Sequence, residues 1–115
     1  MNLIPQSDPQ ASGLAEALTR LWSQFLPQMY ERVDAIERAV GPLANGTISE
    51  TQREEADAAA HKLAGILGSF GIPEGTILAR EAETLCNCGP EDAKAASARL
   101  TEIVALLRNE IESRK

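Results

Sequence analysis

The chain has no apolar run approaching the roughly 18–20 residues that a helix needs to cross a bilayer. Its first residues, Met1 to Ser12, are polar and lack the charged start and apolar core of a signal peptide. Taken as a native start, that absence implies a cytoplasmic protein. Aromatic residues are scarce, at 3% of the 115 residues, so aliphatic side chains must fill the core. β-Branched residues are thin as well, while alanine, leucine and glutamate abound, which favours helix over sheet. No cluster of lysine or arginine interrupts a formal charge of −6. An acidic surface of this kind argues against nucleic acid or an anionic membrane as partner.

Metal-binding and redox patterns are missing too. The two cysteines, Cys86 and Cys88, lie two apart, a spacing that suits neither a redox Cys-x-x-Cys nor a zinc knuckle. With one histidine in the whole chain they cannot supply four ligands unless carboxylates join, so the reading is reduced thiols and no bound metal. There is no glycine-rich phosphate loop and no Walker lysine, which removes the usual apparatus for binding a nucleoside triphosphate.

What is present is helical periodicity. Apolar residues step by threes and fours from Leu14 through Leu18, Leu21, Phe25, Met29, Val33, Ile36 and Val40 to Leu43, predicting a first helix from Ser12 or Gly13 to about Asn45. Pro27 lies inside it and should kink or break the rod. A helix of that length would measure about 48 Å. The part before Pro27, with Trp22 and Phe25, is therefore expected to fold over the bundle end as a lid. Ser49-Glu50-Thr51-Gln52 has the form of a capping box opening a second helix, which runs to Phe70. Gly71 suits a left-handed stop and Pro73 prevents continuation. A third helix, about Pro73 to Asn87, is expected to bury Ile77, Leu78, Ala82 and Leu85. Gly89-Pro90 leads into a fourth, with Ala93, Ala96, Leu100, Ile103, Leu107 and Ile111 at near-heptad steps. Short loops make consecutive helices antiparallel neighbours. The fold class predicted is an all-α antiparallel four-helix bundle over residues 13–115, after a disordered lead-in at 1–12.

The chemistry-bearing stretch is His61-Lys62-Leu63-Ala64-Gly65-Ile66-Leu67-Gly68-Ser69-Phe70-Gly71, in the second helix. On a helical wheel Leu63, Ile66, Leu67 and Phe70 fall within about 100° of one another, joined by Ala56, Ala59 and Ala60. His61 lies opposite that stripe, flanked by Glu54, Asp57, Ala58, Gly65 and Gly68. Glycine inside a helix costs roughly 1 kcal/mol relative to alanine. Gly65 and Gly68 therefore call for a reason: room for another body to approach the imidazole, or room for a neighbouring helix to pack. Access is the better reading for Gly65; the two stand level for Gly68.

His-x-Leu-x-Gly followed by Gly-Ser-Phe-Gly, on an amphipathic helix, resembles the histidine-containing phosphotransfer (HPt) domain of bacterial two-component phosphorelays. The helical pattern extends over roughly residues 14 to 113; the specific motif covers His61 to Gly71. The resemblance implies that His61 accepts and donates a phosphoryl group, relaying it between the aspartates of response-regulator receiver domains downstream of a hybrid sensor histidine kinase. It implies a phosphocarrier with no kinase activity of its own and no cofactor, the Mg²⁺ being held by the partner receiver. One departure stands out. The family commonly carries lysine three residues after the histidine, where it helps hold the phosphoryl group, and here that position is Ala64. Lys62 and Arg80 are the nearby cations in sequence that could take its place.

Around His61, Asp57 sits one turn earlier and about 40° round the axis. It is a candidate to accept a hydrogen bond from Nδ1, leaving Nε2 to attack; a solvated surface acid is the plain alternative. Ser69 could donate to phosphate or bond back to a carbonyl, the second being preferred. Ala58, Ala64, Gly65 and Gly68 are expected to form a shallow floor for a partner helix. A competing reading is a helical adaptor that binds a receiver domain without carrying phosphate. A bundle holding metal or haem would need inward-facing ligands, and the one histidine points outward.

Overall fold

The computed structural model describes residues 9–114, with side chains from residue 13 onward. Four helices follow one another: α1 Pro9–Ala44, α2 Glu50–Ser69, α3 Pro73–Leu85 and α4 Ala93–Glu112, the last introduced by a 3₁₀ turn at Pro90–Asp92. They form an all-α antiparallel four-helix bundle, in which α1 packs on α2 and α4, and α3 closes the ring against the same two. No strand occurs among the described residues.

α1 departs from the expectation in two ways. It begins at Pro9, so residues 9–12 belong to the helix rather than to a lead-in; residues 1–8 lie outside the described part. Proline suits a first helical position, where its missing N–H is not needed and its φ is already helical. Of the kink or break expected at Pro27, the break does not occur: the helix is continuous through Pro27 and Pro42. Pro27 and Ser23, the residue whose carbonyl loses its donor, are both exposed, so water can satisfy that carbonyl. The segment before Pro27 therefore does not fold back as a lid. It continues along the rod, and Trp22 and Phe25 reach the bundle end as side chains. Trp22 meets Phe70 edge-on with ring centroids 5.1 Å apart, and Phe25 meets the same ring at 5.9 Å. Such pairs add about 0.5–1.5 kcal/mol each beyond the area they bury.

α2 starts as its sequence requires. Ser49 Oγ accepts from Gln52 N at 3.0 Å, and Ser49 N donates to the Gln52 side chain at 2.8 Å. It ends where Gly71 adopts φ +69°, a left-handed conformation that side chains resist, and Ile72 N donates back to Leu67 O at 3.0 Å. The resulting link is so short that α2 and α3 are held in one register.

α3 corrects another expectation. Its buried residues are Gly75, Ala79 and Ala82, continued by Cys86 just past its end; Ile77 stands 64% exposed, and Leu78 and Leu85 are half-buried. The buried side is the one with small residues, because α3 lies close on α2. A Cβ added at Gly75 would stand 3.0 Å from Leu67 Cδ1. Ile77 is on the opposite side of the helix, about 160° from Ala79.

The core is completed by Met29, Val33 and Ile36 of α1, Leu63 and Leu67 of α2, and Leu100, Ile103, Leu107 and Ile111 of α4, all fully buried. Each such side chain contributes about 1.5–3 kcal/mol. Polar ties lie at the margins. Arg99 holds Glu81 through two hydrogen bonds, at 2.7 and 2.9 Å, linking α4 to α3. Arg108 reaches Asp34 and Glu37, linking α4 to α1. What this frame does for function is to hold α2 with its apolar side inward and the His61 side in water.

Candidate functional site

His61 projects from the middle of α2 with its side chain 72% exposed. Its Nδ1 lies 3.0 Å from Glu83 Oε2, across the α2–α3 interface. A carboxylate only accepts, so Nδ1 donates to it, and in the neutral ring the lone pair is then on Nε2. The ring is thus open to solvent and oriented.

The orienting carboxylate is Glu83, and the expectation for Asp57 is corrected. Asp57 Oδ1 accepts from Asn87 Nδ2 at 3.0 Å, and the same Asn87 amide donates to Glu83 O at 3.0 Å. Asp57 points along the α2–α3 seam toward the end of α3, and Glu83 rises from the neighbouring helix to the ring. Sequence reading missed Glu83 and Asn87, although a signal existed. The pairs His61–Glu83 and Asp57–Asn87, 22 and 30 residues apart, are both centred on Ile72 in the tight link. An antiparallel helical hairpin with its turn there brings those positions level.

The remaining candidates separate cleanly. Gly65 is exposed, and a Cβ there would meet nothing within 4 Å. Gly68 is exposed too, with an added Cβ in ordinary contact, 3.8 Å, with Thr76 Oγ1 of α3. Ala58 is exposed on the same side. Ala64 is not part of this floor: it is 3% exposed, turned toward α3 and covered by it. Ser69 Oγ donates to Gly65 O at 3.0 Å, bonding back into its own helix. Arg80 is exposed on α3, about one turn before Glu83, and the hairpin register sets it level with Ala64. Lys62 is exposed and lines a groove of about 660 Å³ between α2 and the first half of α1. Leu18, Leu21, Phe25, Ile66 and Phe70 form its apolar part. Among the described residues, no group of three or more histidine, cysteine or acidic side chains is placed to hold a metal ion.

Cys86 lies just past the end of α3, its carbonyl accepting from the Arg53 guanidinium. Burial pushes its thiol up to about 11, and the Asp57 carboxylate adds to the shift. The folded pKa stands above the ordinary 9.0, so the stability this thiol contributes is complete below pH 9 and is lost as pH rises through about 11. Both cysteines are free, and Cys88 is half-buried. Native protein treated with iodoacetamide at pH 8 is expected to take one alkyl group, on Cys88, and two once unfolded; mass spectrometry counts them. Equal labelling of both thiols in the native protein would contradict the burial.

Residues 20–113 match the Hpt domain family, and the chain belongs to it. A curated relative, Protein RcaC of Microchaete diplosiphon, is 35% identical over 82 residues, which cover 71% of this chain and 12% of that protein. The chain thus spans about an eighth of the length of that relative. No solved structure matches.

Proposed function

We propose that this domain carries a phosphoryl group on His61 Nε2 in two-component signalling, taking it from the phosphoaspartate of one receiver domain and passing it to the aspartate of another. The observation that carries this reading is the imidazole itself, 72% exposed and held through Nδ1 by Glu83 at 3.0 Å. Membership of the Hpt family supports the same reading.

In the forward step the Nε2 lone pair attacks the phosphorus of the receiver's acyl phosphate. The N–P bond forms, the P–O bond breaks, and the aspartate leaves as a carboxylate with the bonding pair. The proton stays on Nδ1, so the ring becomes cationic, and the Glu83 carboxylate faces that developing charge. Transfer onward is the reverse at a second aspartate. Phosphoryl transfer depends on positioning and charge neutralisation, and this chain has no nucleotide-binding loop. Mg²⁺ is proposed to arrive with the receiver, and the phosphoryl group to come originally from a hybrid sensor histidine kinase. The domain would then be a phosphocarrier with no kinase activity of its own.

The test is incubation of the purified domain with phosphorylated receiver domains from the same genome, followed by assay for acid-labile, base-stable phosphate. Phosphate appearing on the domain as it leaves a receiver is the expected result; none with any receiver would overturn the reading. The missing lysine at Ala64 favours one alternative, a helical adaptor that binds a receiver without accepting phosphate. Binding without transfer would identify it.

The orienting contact gives its own prediction. Glu83→Gln retains a group that can accept from Nδ1 but removes the charge, and Glu83→Ala removes both. Transfer is expected to fall about tenfold or more in the alanine variant and less in the glutamine variant. Asp57→Asn should stay near the wild-type rate, because Asp57 faces Asn87. Single-turnover transfer rates measure all three, and a fall confined to Asp57→Asn would reverse the assignment.

A further inference from the structure

Arg32 of α1 is out of keeping with the other arginines. Four arginines are half-buried: Arg32, Arg53, Arg99 and Arg108. Arg53 donates to Cys86 O, Arg99 holds Glu81, and Arg108 holds Asp34 and Glu37. Arg32 makes no ion pair among the described residues, and its Nε is buried without a hydrogen-bond partner. Leaving a buried donor of a charged group unsatisfied is costly, so the position calls for a reason, and an anion reaching the guanidinium is one.

Its position suggests which ligand. The α1–α2 hairpin brings Ala39 beside Glu55 and Gln52, and the same register sets Arg32 level with His61 and Lys62. Arg32 and Lys62 are the charged residues lining the groove on that side, and no carboxylate lines it, although the chain as a whole has a formal charge of −6. Gly65 lines the groove one turn after His61 and contributes no side chain, so nothing at that position separates the groove from the side of α2 that bears the ring.

We propose that Arg32, seconded by Lys62, is the phosphate-facing cation of this domain: the dianion carried on His61 Nε2 is met from α1 by the Arg32 guanidinium. The inference rests on the relay reading above. It makes Arg32 a positioning and charge-neutralising residue, acting on the bound phosphoryl group and not on the imidazole. A guanidinium suits that role because its fork of donors matches phosphate oxygens.

The test uses the ¹⁵N-labelled domain phosphorylated chemically with phosphoramidate, which needs no protein partner. The assigned Arg32 Nε–Hε resonance is expected to shift when His61 is phosphorylated, while that of Arg99, tied to Glu81 from α4, stays in place. In transfer from a phosphorylated receiver, Arg32→Gln is expected to slow the step about fivefold, with Arg32→Lys recovering most of the loss. Should Arg32→Gln fail to fold by circular dichroism, Lys62→Gln and the wild-type resonance carry the decision. An Arg32 resonance indifferent to phosphorylation overturns the proposal, even where the variant is slow, because the residue would then act only on docking. Transfer by Arg32→Gln at the wild-type rate overturns it as well, and in both cases phosphorylation of the wild type leaves the relay reading standing. A wild-type domain that takes no phosphate from either donor removes both.

Discussion

The His61→Gln domain should take no phosphate from a phosphorylated receiver and should melt within a few degrees of the wild type. Both halves follow from the same geometry. The ring is 72% exposed and its one hydrogen bond is to Glu83 at the surface, so its removal costs stability only what an exposed polar contact is worth, about 0–1 kcal/mol. For a domain of this size that is a shift of a few degrees. Glutamine has no nitrogen lone pair comparable to Nε2, so the N–P bond cannot form and transfer drops to background. Thermal denaturation followed by circular dichroism, together with an acid-labile phosphate assay, reads both outcomes. Residual phosphate on the glutamine variant would place the acceptor elsewhere in the chain. A large loss of stability would mean that the imidazole supports the fold, against its exposure.

Gly65 should give the second large effect, and in opposite directions for a small and a large replacement. An added Cβ there meets nothing within 4 Å, so Gly65→Ala gains helix propensity without a clash. It is expected to stabilise the domain by roughly 0.5–1 kcal/mol and to leave transfer close to normal. Gly65→Trp keeps the fold, because the side chain projects into open space, but it fills the approach to the ring one turn from His61. Misplacing reacting groups by about 1 Å can cost about 100-fold, and an indole between the two proteins should cost at least that. Gly75 is the internal contrast. It is buried, its Cβ would stand 3.0 Å from Leu67 Cδ1, and Gly75→Ala should destabilise by about 1–3 kcal/mol. Denaturation midpoints and single-turnover rates for the three variants separate a glycine kept for access from one kept for packing. A folded Gly65→Trp protein that accepted phosphate at the normal rate would end the access argument.

Much of this site is written in local pattern. The wheel positions of Leu63, Leu67, Ala56 and Ala60 turn one side of α2 inward, and His61 is then outward by subtraction. Ser49 and Gln52 place the start of that helix, and Gly71 with Pro73 places its end, through rules that involve only a few residues. The preference of Ser69 for a carbonyl of its own helix is equally local. The failures are all between helices. Ala64 and Gly65 are adjacent small residues, and only the approach of α3 decides that the first is covered and the second open. Ile77 looks like a core residue by type, yet α3 buries its small side because that side allows the closer approach to α2.

The sequence by itself determined that this is a bundle of four helices, that its one histidine stands in water on a glycine-lined side of the second, and which family that pattern resembles. Those properties come from periodicity, caps and turn residues, whose energetics act within a few residues of chain. Tertiary structure alone decided that α1 continues unbroken past Pro27, that Glu83 and not Asp57 lies at Nδ1, and that Arg32 lines the groove beside α2 with its Nε unpartnered. These depend on the register and spacing of neighbouring helices, which are set by the sum of all contacts along each seam and not by any single residue.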